Sequence, residues 1–239
     1  MRVCGGVGPR SATKVRQTLP RRRRRASDDL PTPAHVGALL ATAQERFAPF
    51  ALCAFAGLRL GEAAAGQVDD IDFLHRRLMV RRQVQRGPGG GVELRAPKHD
   101  SERTVTLPDR LLELLAAHIE HHVDDDPEGW LFRMPNGSPP HQNTVGHQGR
   151  KATRVSGLEG MRLHGLRHFY ASGLIASGCD VVTVQRALGH ASANTTLATY
   201  SHLWPDADDR TRAAVARLMT SALQDRADLV RTSAEPQAR

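Results

Sequence analysis

Apolar and polar positions along the chain follow two periods, and the switches between them mark out its elements. From Pro31-Thr32-Pro33 the apolar residues Val36, Leu39 and Leu40 recur at helical spacing, with Thr32 placed to cap a helix and Pro33 at its first position. Arg46 to Leu58 predicts a second helix, too apolar to lie on a surface, ending at Gly57-Leu58-Arg59-Leu60-Gly61-Glu62. Between Ile71 and Arg95 the period changes to two, through Leu78, Val80 and Val84, the turn cluster Gly87–Gly91, then Val92 and Leu94. Thr104 to Pro108 closes what reads as a small antiparallel sheet of three strands. Helical spacing returns over Leu111 to His122. Gly129-Trp130-Leu131-Phe132 reads as a short buried strand and Pro135–Pro140 as a loop. Further helices follow at 143–155, 164–178, 180–188 and 192–203, and an amphipathic one from Ala207 to Asp228 carries Ala213, Val215, Leu218 and Leu223. The pattern is α+β and mainly helical.

Charge redraws the boundaries. The chain of 239 residues has a net charge of +8, yet residues 1–27 hold nine Lys/Arg and no acid, and without them 33 basic against 25 acidic becomes 24 against 25. Residues 1–29 therefore read as a disordered basic tail, a solvated arm or a non-specific nucleic-acid contact, 30–228 as one folded domain, and 229–239 as a frayed end. Inside the neutral body, Arg133 to His190 holds Arg133, Arg150, Lys151, Arg154, Arg162, Arg167 and Arg186 against only Glu159 and Asp180. A local excess of this kind is a footprint for phosphate contacts. Aromatics are scarce at 4%, which argues against base stacking as the mode of binding. Cys4, Cys53 and Cys179 are too scattered for a disulfide framework or a zinc motif, and Cys53 lies in an apolar run as a buried thiol. The first residues show no apolar signal region and no run is long enough to span a membrane, so a cytoplasmic, reducing compartment is expected.

The densest chemistry lies between Arg162 and Tyr200. His164 and Arg167 are three apart and share a helix face. Leu188-Gly189-His190 reads as a helix stopped by glycine, leaving His190 projecting from a turn. Tyr200 follows ten residues later. Upstream, Arg59 ends a buried helix and must be paired or face a cleft; alone it reads better as a partner of Glu62 or of an acid within 69–72. Lys98 lies in the polar turn before the last strand, where lysine is usually only solvated and where His99 and Arg95 compete with it. His118, His121 and His122 near Asp124–Asp126 read as a metal site or, more simply, a solvated helix end. His164 and His168 are at zinc-ligand spacing but lack the glutamate of His-Glu-x-x-His. Tyr170, inside the 164–177 helix, reads as packing.

Taken in order, Gly-Leu-Arg59-Leu-Gly-Glu, Lys98 before a strand, His164-x-x-Arg167, Leu-Gly-His190 and Tyr200 resemble the catalytic domain of the tyrosine recombinases, the phage-integrase family. Asp70-Ile-Asp72 and Thr195-Thr196 before Tyr200-Ser-His202 agree with it, and the resemblance covers residues 30–205. It implies the catalytic-domain fold of that family and cleavage and rejoining of double-stranded DNA through a 3′-phosphotyrosine, on a homotetramer at paired sites, with no cofactor. Tyr200 would be the nucleophile, Arg59 and Arg167 the phosphate clamps, and His190 a donor to a non-bridging oxygen. His164 would accept the tyrosine proton or bond the phosphate, and Lys98 would be the general acid.

Residue chemistry supports the same reading. Metal-free cleavage of a phosphodiester needs a nucleophile, cations for two non-bridging oxygens and a proton for the leaving oxygen, and two guanidinium forks can serve as the cations. The chain departs from the pattern at Gly66 and Val68, where the family favours leucine and an aromatic residue and a looser core is expected, and at Gly165, where it favours aspartate. The helical core-binding domain typical of the family cannot form from residues 1–29. Two other functions therefore stand beside recombination: a catalytically crippled DNA-binding remnant, and DNA relaxation of the type IB topoisomerase kind.

Overall fold

The protein is described here by a computed structural model covering residues 30–43, 48–98, 101–123, 129–204 and 207–232. The basic tail over 1–29, the start of the second helix at Arg46, His99, Asp124–Asp126 and residues 233–239 lie outside the described residues. Helix α1 (Pro33–Ala43) begins where the sequence places it: the Thr32 hydroxyl accepts the His35 amide at 3.2 Å, satisfying one of the donors a helix start leaves open. Helix α2 (Ala48–Phe55) is buried through Phe50, Leu52 and Cys53. It ends in Gly57, at φ +65°, where a Cβ would lie 2.4 Å from the Tyr170 ring. Only glycine fits that turn, and the packing expected of Tyr170 is against it. The short α3 (Leu60–Ala64) follows.

The strands are β1 (Ile71–Asp72), β2 (Arg77–Val80), β3 (Gln83–Arg86), β4 (Val92–Arg95) and β5 (Arg103–Thr106). A three-stranded antiparallel sheet does form, in the order β1-β2-β5, with Leu78 opposite Val105. The alternation through Val84 and Leu94 belongs instead to a separate hairpin, β3-β4. Arg81 and Arg82 interrupt the apolar run, and Arg82 turns back to Asp70 at 2.6 Å, so β3 leaves the sheet and β5 takes the free edge of β2. The strand expected at 129–132 is a single bridge, Trp130 with Gln67, although Trp130, Leu131 and Phe132 are all buried. The segment it bridges to, Gly66–Val68, is too short for a ladder. No looseness follows from Gly66: a Cβ there would meet Leu131 Cδ1 at 3.0 Å, so Leu131 already fills the place of a larger side chain.

Helices α4 (Asp109–His122), α5 (Gln142–Val155), α6 (His164–Ala176), α7 (Val181–Leu188), α8 (Ala193–Tyr200) and α9 (Ala207–Thr232) complete the chain, with a 3-10 turn over Ser201–Leu203. The buried side chains form two clusters. The larger joins α1 to α6 and the strands, and ends at Leu166. The smaller contains Ala171, Ile175, Val184, Leu188 and Tyr200, from α6, α7 and α8. Helix α6 runs from one to the other, and Arg167 lies where they meet. On α4, His118 is buried with Nε2 2.8 Å from the Leu131 carbonyl, and no three potential ligands among the described residues are placed to hold a metal. No helix among them is long and apolar enough to cross a membrane.

Candidate active site

The site is built on the C-terminal end of α7. Asp180 caps its start, accepting the Val182 and Thr183 amides at 2.8 and 2.9 Å. Its last turn closes through Gly189 at φ +62°, with the Gly189 amide on Arg186 O at 3.0 Å and the His190 amide on Gln185 O at 3.1 Å. This leaves the carbonyls of Ala187, Leu188 and Gly189, which point out of the helix end. Each accepts from a different arginine: Arg103 Nε at 3.3 Å, Arg167 Nη2 at 2.5 Å and Arg59 Nη2 at 3.3 Å. Three cations thus gather at the negative end of one helix.

Glu62 holds two of them. Its buried carboxylate takes Arg59 Nη1 at 2.6 Å and Arg103 Nη2 at 2.8 Å, and also accepts the Arg59 amide at 2.9 Å. Burial pushes this carboxyl up, but the hydrogen bonds and charges of Arg103 and Arg59 outweigh it and the net shift is downward. Arg59 is therefore both things the sequence allowed, a salt-bridge partner and a cleft-facing cation, with its side chain 23% exposed. Arg167 is 3% exposed and donates to the carbonyls of Gly57 and Leu188, so it ties the end of α2 to the end of α7 rather than presenting an open fork. Burial, then the like charge of Arg59, bring it down to about 10, still charged at neutral pH.

The histidines divide around this cationic centre. His190 Nδ1 lies 2.9 Å from the hydroxyl of buried Thr196. Burial, followed by Arg167, Arg59 and Arg103, lowers its imidazole to about 4, so it is neutral; if Thr196 donates to Nδ1, Nε2 carries the proton. His164, at the start of α6, is exposed overall, yet crowding of its ring and the charges of Arg167 and Arg59 hold it below its ordinary value. Its ring meets that of His168 edge-on at 4.6 Å, and His168 in turn meets Tyr200 at 5.5 Å. The Tyr200 hydroxyl lies 2.7 Å from His168 Nδ1. Tyr200 is 2% exposed, and burial raises its phenol to about 12 against a smaller lowering by Arg167.

Arg59, Arg167, His164, His190 and Tyr200 are thus brought together. Lys98 is exposed where the described chain after β4 ends, and Ser101, where it resumes, accepts from Arg59 Nη1 at 3.2 Å. Its competitor Arg95 is paired with Glu93 at 3.0 Å on the hairpin. Reading the sequence missed Arg103, the bond between Thr196 and His190, and the contact between His168 and Tyr200. Arg103 had a signal: in a strand it shares a face with buried Val105, an inward-pointing charge that needs a partner. Thr196 lies one helical turn before Tyr200, on the same face of α8.

The architecture is that of the tyrosine-recombinase catalytic domains. The integrase of transposon Tn1549 in complex with transposon right end DNA superposes with a TM-score of 0.67 at 22% identity, over 79% of this chain and 65% of that one. The crystal structure of XerA recombinase gives 0.60 at 23% identity, with the same coverage of 79% and 65%. The profile of the phage integrase family matches residues 32–206, and the chain belongs to that family. Similar sequences include the ICEBs1 integrase of Bacillus subtilis, 29% identical over 63% of this chain and 43% of that protein. The putative integrase/recombinase y4qK of Sinorhizobium fredii is 36% identical over 60% of this chain and 42% of its own length. Tyrosine recombinase XerA of Pyrococcus furiosus is 31% identical over 59% and 44%. The match therefore spans less than half the length of these relatives.

Proposed function

We propose that the chain is the catalytic part of a site-specific recombinase that cleaves and rejoins double-stranded DNA through a 3′-phosphotyrosine at Tyr200. The observation that carries this reading is that Arg59, from the start of the domain, and Arg167 meet on the end of α7 beside His190, with Tyr200 and His164 linked to them through His168 on α6. Arg59 and Arg167 set the cationic field for the scissile phosphate, and neutral His190 offers Nε2–H to a non-bridging oxygen. His164, on the side of the two arginines, bonds the phosphate or takes the tyrosine proton. Lys98, on its loop, protonates the departing 5′-oxygen. The covalent link conserves the energy of the broken bond, so a second DNA 5′-hydroxyl can reverse it without ATP or metal. Paired DNA sites held by a homotetramer, a cytoplasmic and nucleoid location in a bacterium, and service to a mobile element belong to the same proposal, the last supported by similarity to transposase A of transposon Tn554.

A nicked suicide duplex tests it. Wild-type protein is expected to form a covalent adduct that survives EDTA, and Tyr200→Phe to bind the duplex without forming one; an adduct from the phenylalanine variant sinks the assignment. Arg59→Ala is expected to slow adduct formation by about a hundredfold, corresponding to about 3 kcal/mol of lost transition-state stabilisation. Burial of Tyr200 and Arg167 favours one rival, a module that binds DNA without cutting it. That rival predicts a gel shift and no adduct from wild-type protein. Relaxation of a supercoiled plasmid without recombinants would indicate topoisomerase-like action instead.

A further inference from the structure

Two imidazoles compete for the role of base, and geometry separates them. His164 and His168 are four apart on α6 and their rings touch, but they face different partners. His164 stands at the start of α6, one helical turn before Arg167, and besides burial it feels the charges of Arg167 and Arg59. His168 faces α8, with Nδ1 2.7 Å from the Tyr200 hydroxyl, within the reach required of a general base. A phenol donates only to a ring nitrogen that bears a lone pair, so in the tautomer with Nδ1 unprotonated this contact holds the Tyr200 proton against His168. The Tyr200 ring is enclosed by Ala171, Ile175, Val184 and Leu188, which leaves its oxygen little solvent to receive a proton.

We propose that His168, not His164, takes the proton from Tyr200 during strand cleavage. The inference rests on Tyr200 being the nucleophile. As the tyrosine oxygen bonds to phosphorus, its proton passes to His168 Nδ1, the bond from phosphorus to the 5′-oxygen breaks, and that oxygen takes a proton from Lys98. On rejoining, the His168 imidazolium returns its proton to the departing phenolate. His164 is left to the phosphate, and the edge-on contact between the rings keeps His168 aimed at α8.

The test is single-turnover adduct formation on the nicked suicide duplex with wild type, His168→Ala, His168→Asn and His164→Ala. Asparagine can accept the hydrogen bond from Tyr200 but not its proton, so it separates holding the phenol from deprotonating it. Gel shifts and thermal melts establish that each variant binds and folds; should the alanine variant unfold, the asparagine variant carries the comparison. Expected are losses of tenfold or more for both His168 variants, of the order general-base catalysis supplies, about 10²–10⁴-fold. Added imidazole should return at least tenfold to His168→Ala and nothing to His164→Ala. A loss below tenfold, a faster reaction, restoration by asparagine, or no response of His168→Ala to imidazole overturns the proposal. If wild-type protein forms no adduct, the recombinase reading itself has failed, which is a different result from wild type and His168→Ala reacting alike.

Discussion

At the residue scale, His190 is kept neutral first by burial of its ring and then by the charges of Arg167, Arg59 and Arg103, which together bring it to about 4, below the ordinary histidine value. The folded protein therefore binds a proton at this site less readily than the unfolded chain, so between about pH 6.5 and pH 4 the unfolded state holds the extra proton. The contribution is present above pH 6.5 and is lost on acidification towards 4. Thermal midpoints measured across that window are expected to fall less steeply in His190→Asn than in wild type, and parallel curves would contradict the shift. Arg59, Arg167 and His190 can be singled out in the sequence because they stand in an ordered set that resembles the phage-integrase family; residue chemistry alone favours a salt bridge for Arg59. Where their hydrogen bonds go was not legible there. Arg59 reaches Gly189 across 130 positions and Arg103 reaches Ala187 across 84, and such distances are set by how α3, β5 and α7 pack rather than by local pattern.

At the element scale, the end of α7 depends on one glycine for two separate reasons. Gly189 must adopt φ +62° to close the helix, and a Cβ there would come within 2.8 Å of Arg103 Cδ. Gly189→Ala is therefore expected to cost about 2 kcal/mol or more in urea unfolding, beyond the roughly 1–2 kcal/mol of the left-handed backbone alone, because Arg103 must also move. A loss of only about 1 kcal/mol, no more than the left-handed backbone costs, would mean that Arg103 shifts freely. Glu62→Gln attacks the same assembly from below. It leaves Arg59 and Arg103 without their shared carboxylate in a buried setting, where removing one partner of an ion pair costs about 3–5 kcal/mol. Helix positions were read well because each has its own period and stop signals, as Thr32 and Gly189 illustrate. Strand partners were read less well: period two identifies β3 and β4 as strands but cannot say that Arg82, drawn to Asp70, removes them from the sheet of β1, β2 and β5.

At the scale of the molecule, the question is where DNA would meet a body whose charges nearly cancel. An open cavity of about 670 Å³ lies between α5 and the entry to α6, and Arg150, Arg154 and Arg162 line it along with Leu60, the neighbour of Arg59. Arg154 is drawn to Glu159 at 3.8 Å, but both side chains are largely exposed, so that pair opposes a phosphate only weakly. Because Leu60 follows Arg59 directly, a duplex whose phosphates lie on these arginines would run past the end of α7. Each phosphate contact releases condensed counterions, so the groove should be visible in the salt dependence of binding rather than in affinity at one salt concentration. Arg150→Ala and Arg162→Ala are each expected to weaken binding to any duplex and to reduce the slope of log K against log salt by about 1, with the basic segment 1–27 kept in every variant. Slopes equal to wild type would place the duplex elsewhere on the surface. A slope reduced by both variants, with the rate of adduct formation at saturating DNA unchanged, would separate the residues that hold the duplex from those at the end of α7 that act on it.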